Sequence, residues 1–299
     1  MVLFAGAIVV VALLLAAVLV VTTRHQPVVT GLPSTAPQGL PCGGERPTKD
    51  NGTPWRCTFD DEFDGTVLSA DEWTPTTTAQ TGFRGGQECI VAGAVHVGGG
   101  LLTLTATRTP ARQCGAFVTS YNSGMISTRS KFAQTYGRFE MRAEFPPGVG
   151  FQPAFWMVPQ NPEASGHPSY GEIDIAEEWG DLPQYVYPHL HYVATPGSPT
   201  GGAACKIATN ASAFHTYTLT WTPTQMRFDY DDAPCWTTQW QPQPPQYAPP
   251  GAQPPTPFDQ PFYIIVQLAV GGKKTPLNVP NASTPFPAHM EVDYVRVWS

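Results

Sequence analysis

Residues 171–180 read Gly171-Glu172-Ile173-Asp174-Ile175-Ala176-Glu177-Glu178-Trp179-Gly180, with four acids set among residues that favour β-structure. Successive side chains on a strand point to opposite faces, so Glu172 and Asp174 share one face while Ile173 and Ile175 share the other. The isoleucines can then pack in a core while the acids line a wet surface. The stretch therefore predicts a strand with one buried and one functional face.

Glu177 does not fit this alternation. It follows Glu172 at an odd offset, which would turn its side chain into the core. One extra residue near Ile175 and Ala176, a β-bulge, would return Glu177 to the face of Glu172. The two Cα atoms would then lie roughly 13 Å apart. The long side chains would bring the carboxyls toward the roughly 5–5.5 Å that a retaining glycosidase uses.

Three carboxylates on one face repel one another when all are ionised. At least one pKa is therefore expected to rise, which places a proton-donating acid beside an ionised nucleophile. The alternative is a solvated edge strand with scattered acids. The flanking glycines and Trp179 favour the catalytic interpretation.

The composition indicates a globular protein with a sizeable core. The chain has 299 residues, of which 41% are hydrophobic and 13% charged, enough for one large domain or two small ones. The net charge is -7 at pH 7, and no cluster of Lys or Arg is visible. This balance argues against nucleic acid as a partner. We expect the domain to act as a monomer.

The first 21 residues are apolar and would form a helix of about 30 Å, long enough to span a bilayer. Residues 1–21 are interpreted as a signal peptide or a membrane anchor, and a truncated start is a third interpretation. Residues 22–55, rich in Pro, Gly, Thr and Ser, are interpreted as a stalk. The folded domain is expected at 56–299. The positive-inside rule alone, through Arg24, would place it in the cytoplasm.

The cysteines point to the opposite compartment. There are six, with no C-x-x-C spacing that would suggest zinc or a redox motif. Disulfides are expected, and nearest-neighbour pairing is one of the 15 connectivities that six cysteines allow. That pairing joins Cys42 to Cys57, Cys89 to Cys114, and Cys205 to Cys235. The protein is therefore expected to be secreted or anchored to the outer face of the cell membrane.

The rest of the chain is a series of short alternating segments separated by turn residues. No segment after residue 25 keeps a helical period for three turns. This pattern predicts an all-β fold, a β-sandwich with one concave face. The expected strands include residues 101–106, 124–128, 136–143, 216–221, 262–270 and 290–298. Residues 241–257 are rich in proline and predict an extended loop, in which Tyr247 could stack on a ligand.

Several motifs together resemble glycoside hydrolase family 16, and within it the laminarinase-like β-glucanases. They recur in family order over nearly the whole predicted domain. Residues 172–177 are similar to the bulged Glu-x-Asp-x-x-Glu form found in laminarinases. The other matching motifs lie at residues 59–65, 136–140, 153–156, 214–217, 221–223, 268–272 and 292–297.

This resemblance implies a jelly-roll sandwich with a sugar-binding cleft. It also implies Glu172 as nucleophile, Glu177 as acid/base and Asp174 as an assisting acid. The expected activity is endo-acting, retaining cleavage of a β-linked polysaccharide, with β-1,3-glucan or a related glucan as substrate and no cofactor required for catalysis. The alternatives are a non-hydrolytic carbohydrate-binding protein and a transglycosylase on the same fold.

Four residues are expected to bind substrate. Trp156 offers a flat apolar face, with core packing as the alternative. His191 resembles a cleft histidine of the family; its spacing from His189 could also suggest a metal site, but no third ligand at suitable spacing accompanies the pair. Glu88 and Gln267 fall where relatives place polar cleft residues.

The resemblance also implies a structural calcium ion held by Glu62 and Asp293, since hard oxygen ligands suit Ca²⁺. Surface acids on edge strands are the alternative. At Gln152 the chain departs from the family, where a Trp is common, so a stacking platform is expected to be missing. Lys273 and Lys274 replace a second aromatic loop and suggest either a substituted or acidic polysaccharide or a solvated turn.

Overall fold

Strands make up nearly all of the regular structure. The computed structural model describes residues 42–161, 167–193, 201–240, 257–272 and 279–299, all within one compact unit, Gly39–Ser299. The strands are β1 (Cys57–Asp61), β2 (Thr74–Pro75), β3 (Cys89–Ile90), β4 (Val95–Gly98), β5 (Leu101–Cys114), β6 (Phe117–Ser123), β7 (Met125–Ser127), β8 (Gly137–Glu144), β9 (Phe151–Pro159), β10 (Glu172–Glu177), β11 (Tyr185–His191), β12 (Gly201–Gly202), β13 (Cys205–Lys206), β14 (His215–Trp221), β15 (Met226–Tyr230), β16 (Ala233–Thr238), β17 (Phe262–Val270) and β18 (Ala288–Trp298). A short helix, α1 (Thr78–Thr81), and a 3₁₀ turn (Ala92–Ala94) complete the described elements.

These strands form two sheets, as the sequence pattern predicts. A ten-stranded sheet has the order β16-β15-β14-β8-β18-β5-β6-β3, with β1 beside β18 and β4 beside β5. An eight-stranded sheet has the order β12-β11-β10-β9-β17-β7-β2, with β13 beside β11. The fold is a β-sandwich of the jelly-roll type. Each of the six expected strand segments coincides with a strand of the structure.

One core lies between the two sheets. Ile173 and Phe155 enter it from the eight-stranded sheet, and Phe139 and Val295 enter it from the ten-stranded sheet, all without exposed surface. Burying a side chain of this size contributes about 1.5–3 kcal/mol relative to leaving it in water. Strand β17 is buried along its whole length, which agrees with a sequence that is apolar except at Gln267.

The three disulfides follow the nearest-neighbour pairing. Cys42 is joined to Cys57, Cys89 to Cys114, and Cys205 to Cys235. The described chain contains no free cysteine. Disulfides of this kind are typical of an oxidising compartment.

The folded domain begins earlier than residue 56. Cys42 is fully buried, its disulfide reaches β1, and the backbone N–H of Gly43 donates to Asp60. Residues 42–55, which the sequence predicts as part of a stalk, are therefore attached to the sandwich. The apolar segment 1–21, the proline-rich run with Tyr247, and Lys273 with Lys274 lie outside the described residues. Among those described, no helix has the length and apolarity needed to cross a membrane.

Glu178 is an acid buried on the inner side of the sheet, directly after β10. It follows Glu177 on the opposite face, is fully buried, and neither carboxyl oxygen has a hydrogen-bond partner among the described residues. Burial, and secondarily the charge of Asp181, raises the pKa of Glu178 to about 8 from 4.5. Its carboxyl is therefore neutral in the folded protein at pH 7, because a bare charge would be strongly disfavoured there.

Replacing Glu178 with Gln should change how stability depends on pH. Between pH 4.5 and about 8 the folded protein holds a proton on Glu178 that the unfolded chain has lost, so the parent loses stability as pH rises. Glu178→Gln has no such group. As the pH rises through this window, the unfolding free energy of the variant minus that of the parent should therefore increase by about 1.4 kcal/mol per pH unit. Chemical denaturation at a series of pH values measures this. Glu45→Gln, at an exposed site, should show the same dependence of unfolding free energy on pH as the parent. If Glu178→Gln also showed the parent's dependence, Glu178 would not be a buried neutral acid.

Ending the chain at Met290 should unfold the domain. Strand β18 lies between β8 and β5 and also pairs with β1, so the truncation exposes three strand edges and opens the core. We expect insoluble protein, or soluble protein without a cooperative thermal transition by circular dichroism. A soluble and active truncated chain would show that β18 is dispensable.

Candidate active site

A bulge in β10 brings the three predicted acids onto one face. Asp174 lies opposite Trp156 of the neighbouring strand β9, and Glu177 lies opposite Ala154. The two positions are three residues apart on β10 and two apart on β9, so β10 carries one extra residue between them. The pairing of β10 with β11 shows the same irregularity. The bulge predicted from the odd offset is confirmed.

The acids line a cleft of about 410 Å³ on the outer face of the eight-stranded sheet. The isoleucines of the same strand point the other way, into the core. The other residues that line the cleft are Phe83, Arg84, Gly85, Gln152, Ala154, Trp156, His167, Tyr170, Gln267 and Ala269.

Both carboxyl oxygens of Glu177 have partners. Gln152 Nε2 donates to Oε1 at 2.7 Å, and His189 Nδ1 lies 2.9 Å from Oε2. Gln152 reaches Glu177 from β9 and His189 reaches it from β11, so both neighbouring strands fix the orientation of this side chain. A carboxyl held from two sides is suited to exchange a proton at one defined position.

Asp174 sits between the two glutamates and is 4% exposed. Burial raises its pKa well above the usual value, and the charges of Glu177 and Glu172 add to the effect. Among the three acids Glu172, Asp174 and Glu177, Asp174 is therefore one whose pKa is raised, as the sequence predicts for at least one of them. His191 Nε2 lies 3.0 Å from Asp174 Oδ2, yet no hydrogen bond of good direction reaches that oxygen.

Glu172 is less constrained. His167 Nε2 lies 3.6 Å from its Oε2, and His191 Nε2 lies 3.9 Å from its Oε1. Both separations exceed hydrogen-bond length. Glu172 therefore keeps an oxygen free to approach a reacting carbon in the cleft, with imidazole rings near both of its oxygens.

Three of the four expected substrate residues are at the cleft. Trp156 and Gln267 line it, and His191 faces Glu172 and Asp174 with 43% of its side chain exposed. Trp156 lies on the outer face of the sheet, where it lines the cleft and also packs against a second buried cluster that includes Met125 and Val158. Its neighbour Phe155 occupies the main core.

Glu88 is not in the cleft. Its side chain is completely buried, and its carboxyl accepts backbone N–H groups of Gly85, Gly86 and Val270 at 2.8–3.1 Å. A substrate has no access to it. The expectation that Glu88 binds substrate is therefore corrected: it ties the loop that carries Arg84 and Gly85 to the end of β17.

The expected calcium residues are each paired with an arginine. Both oxygens of Glu62 accept from Arg296, at 2.7 and 2.8 Å, and Asp293 accepts from Arg142 at 2.6 Å. Neither acid belongs to a group of three His, Cys, Asp or Glu ligands within the described ranges. Guanidinium groups therefore already bind both oxygens of Glu62 and one oxygen of Asp293, which argues against a calcium ion at this pair.

Three functional residues escaped the sequence reasoning. The sequence identifies Gln152 only as a missing stacking platform, yet its amide donates to Glu177. Strand alternation from Trp156 places Gln152 on the same face, and alternation from His191 does the same for His189. His167 had no comparable signal, because it precedes β10 on an irregular segment.

The sandwich, the cleft and the paired acids define a glycosidase. A family model for glycosyl hydrolases family 16 matches residues 86–294. The β-glucanase of Rhodothermus marinus is 34% identical over 259 residues, covering 83% of this chain and 87% of that protein. A glucan endo-1,3-beta-glucosidase A1 of Niallia circulans is 32% identical over 259 residues, covering 80% of this chain and 37% of that protein.

A solved structure shows the same fold. The endo-beta-1,3-glucanase of Pyrococcus furiosus superposes with a TM-score of 0.73 at 30% identity, covering 85% of this chain and 98% of that chain. The chain belongs to glycosyl hydrolases family 16.

Replacing Gln152 with Leu should impair catalysis without unfolding the protein. Leu keeps most of the volume but removes the donor that orients Glu177, and a small misplacement of a catalytic group costs roughly ten- to a hundredfold in rate. We expect kcat/KM on a β-glucan to fall by that factor while the melting temperature stays near that of the parent. Gln113→Leu, at an exposed site on β5, is the matched control. Unchanged kcat/KM in Gln152→Leu would show that this hydrogen bond has no catalytic role.

Proposed function

We propose that the protein is a retaining, endo-acting glycosidase that cleaves a β-linked glucan by double displacement. The observation that supports this most strongly is the placement of Glu172 and Glu177 on one face of one strand in one cleft, with the buried Asp174 between them. Two carboxyl groups flanking one bond are the requirement for this chemistry.

In the first step Glu177 gives its proton to the glycosidic oxygen while a carboxylate oxygen of Glu172 attacks the anomeric carbon. The bond to the leaving sugar breaks, and its electron pair takes the proton. Gln152 and His189 then stabilise the carboxylate that remains on Glu177. Burial raises the pKa of Asp174 well above its usual value, which weakens its tendency to carry a further negative charge beside Glu172.

In the second step Glu177 takes a proton from water, which attacks the anomeric carbon and releases Glu172. Two inversions retain the configuration. A sugar hydroxyl in place of water would give transglycosylation through the same intermediate, so the two activities share every residue named here.

The relatives support a β-1,3-glucan or a related glucan as substrate, since their names include beta-glucanase and glucan endo-1,3-beta-glucosidase. Trp156 would stack on a sugar ring. Gln267, whose amide nitrogen has no partner within the described residues, and His191 would hydrogen-bond to sugar hydroxyls. Endo action is inferred from the relatives, one of which is named a glucan endo-1,3-beta-glucosidase.

The catalytic step of these glucanases needs no cofactor. Calcium at Glu62 and Asp293 stays a prediction from the resemblance, and the arginine partners of both acids argue against it. We also infer that the domain is exported, because its disulfides suit an oxidising compartment. Attachment through residues 1–21 and the monomeric state are further parts of the proposal.

Replacing Glu172 with Gln should abolish the release of reducing ends from laminarin and mixed-linkage β-glucan while the thermal transition is kept. The amide cannot form the glycosyl ester, and loss of the nucleophile costs several orders of magnitude in kcat. Glu45→Gln serves as the control for an exposed glutamate. Appreciable turnover by Glu172→Gln would refute the assignment. Binding of the glucans by the parent without any release would favour the carbohydrate-binding alternative.

A further inference from the structure

Histidine and carboxyl groups form a mixed donor cluster at one end of the catalytic cleft. The ligand atoms of Glu172, Asp174 and His191 all lie within 4.8 Å of one another. His167 adds a further imidazole, 3.6 Å from Glu172 Oε2, and its ring centre is 5.9 Å from that of His191. The cluster therefore offers two nitrogen and two oxygen donors around the proposed nucleophile.

We propose that this cluster binds a borderline divalent transition-metal ion, with Zn²⁺ as the type case, and that the bound ion blocks catalysis. Imidazole and carboxylate together are the donor set that Zn²⁺ prefers, whereas hard ions such as Ca²⁺ prefer oxygen alone. Four such donors allow a closed tetrahedral site. The blocking effect rests on the proposed function, and the binding itself does not.

The unsatisfied oxygen of Asp174 supports a ligand at this point. Asp174 is almost fully buried, and its Oδ2 accepts no hydrogen bond of good direction among the described residues, although His191 Nε2 is 3.0 Å away. A buried polar atom without a hydrogen-bond partner is rare, and an ion or a water molecule commonly binds at such an atom. A cation between Asp174 and His191 would satisfy both.

The required movement is small. In a tetrahedral zinc site the ligand atoms lie about 3.4 Å apart. The measured separations of 3.0 Å, between His191 and Asp174, and 3.9 Å, between His191 and Glu172, bracket this value. His191 and His167 are each nearly half exposed, so their rings can turn without disturbing the core. His189 is less suited, because its Nδ1 already lies 2.9 Å from Glu177.

The consequence for catalysis follows from the same atoms. A metal bound to Glu172 takes the lone pair with which this carboxylate would attack the sugar. The ion would also stand in the cleft where the sugar ring must lie. The bound state should therefore be inactive, and a chelator should restore activity.

The test is calorimetric titration of the full chain with ZnCl₂ in a chelator-free buffer, which needs no turnover. We expect one Zn²⁺ per chain, and affinity reduced roughly tenfold or more in both His191→Asn and His167→Asn. His289→Asn, at an exposed site on β18, should bind like the parent. Thermal melts of the metal-free variants check that each is folded.

A second arm measures activity. The zinc concentration for half-inhibition should rise in the two cleft variants by the same factor as the dissociation constant, and CaCl₂ at equal concentration should have no effect. The proposal is overturned if zinc affinity in both cleft variants stays within about twofold of the parent. Zinc binding without inhibition would place the ion elsewhere. A chain without glucanase activity would leave the binding result intact, so the two proposals fail separately.

Discussion

The extra residue in β10 is the constraint on which the site depends. A regular strand with the same sequence would send Glu177 into the core together with Ile173 and Ile175. The bulge instead returns Glu177 to the face of Glu172 and keeps both isoleucines buried. A single bulge thus lets β10 pack in the core with one face and present its acids with the other. The strands β9 and β11, hydrogen-bonded on either side, hold the bulge in place.

The bulge places several carboxyl groups at partly or fully buried positions. The cost of burying each one is offset in a different way. Glu177 is held by Gln152 and His189. Burial, together with the charges of Glu177 and Glu172, raises the pKa of Asp174 well above its usual value. On the core side, Glu178 is neutral for the same reason. In the proposed mechanism Glu172 therefore has an oxygen available to react, beside Glu177, whose side chain is held in one orientation.

Sequence reasoning reached the features that depend on local patterns. Alternation located the strands, the odd offset located the bulge, and proximity along the chain paired the cysteines. It failed where distant segments meet. Glu88 is separated by 182 residues from Val270, whose backbone N–H its carboxyl accepts, and nothing local distinguishes that role from sugar binding. The arginine partners of Glu62 and Asp293 lie on strands distant in sequence, Arg296 on β18 and Arg142 on β8. His189 and Gln152 carried the right alternation, yet only their approach to Glu177 shows what they do.

The central claim is that Glu172 and Glu177 act as nucleophile and acid/base of a double displacement. The most direct measurement is the anomeric form of the first product, followed by ¹H NMR during the early minutes of laminarin hydrolysis. Two inversions require the β-anomer of the new reducing end to appear first, with the α-anomer growing only through mutarotation. Initial release of the α-anomer would mean direct attack by water, and would contradict the assignment of Glu172 as nucleophile.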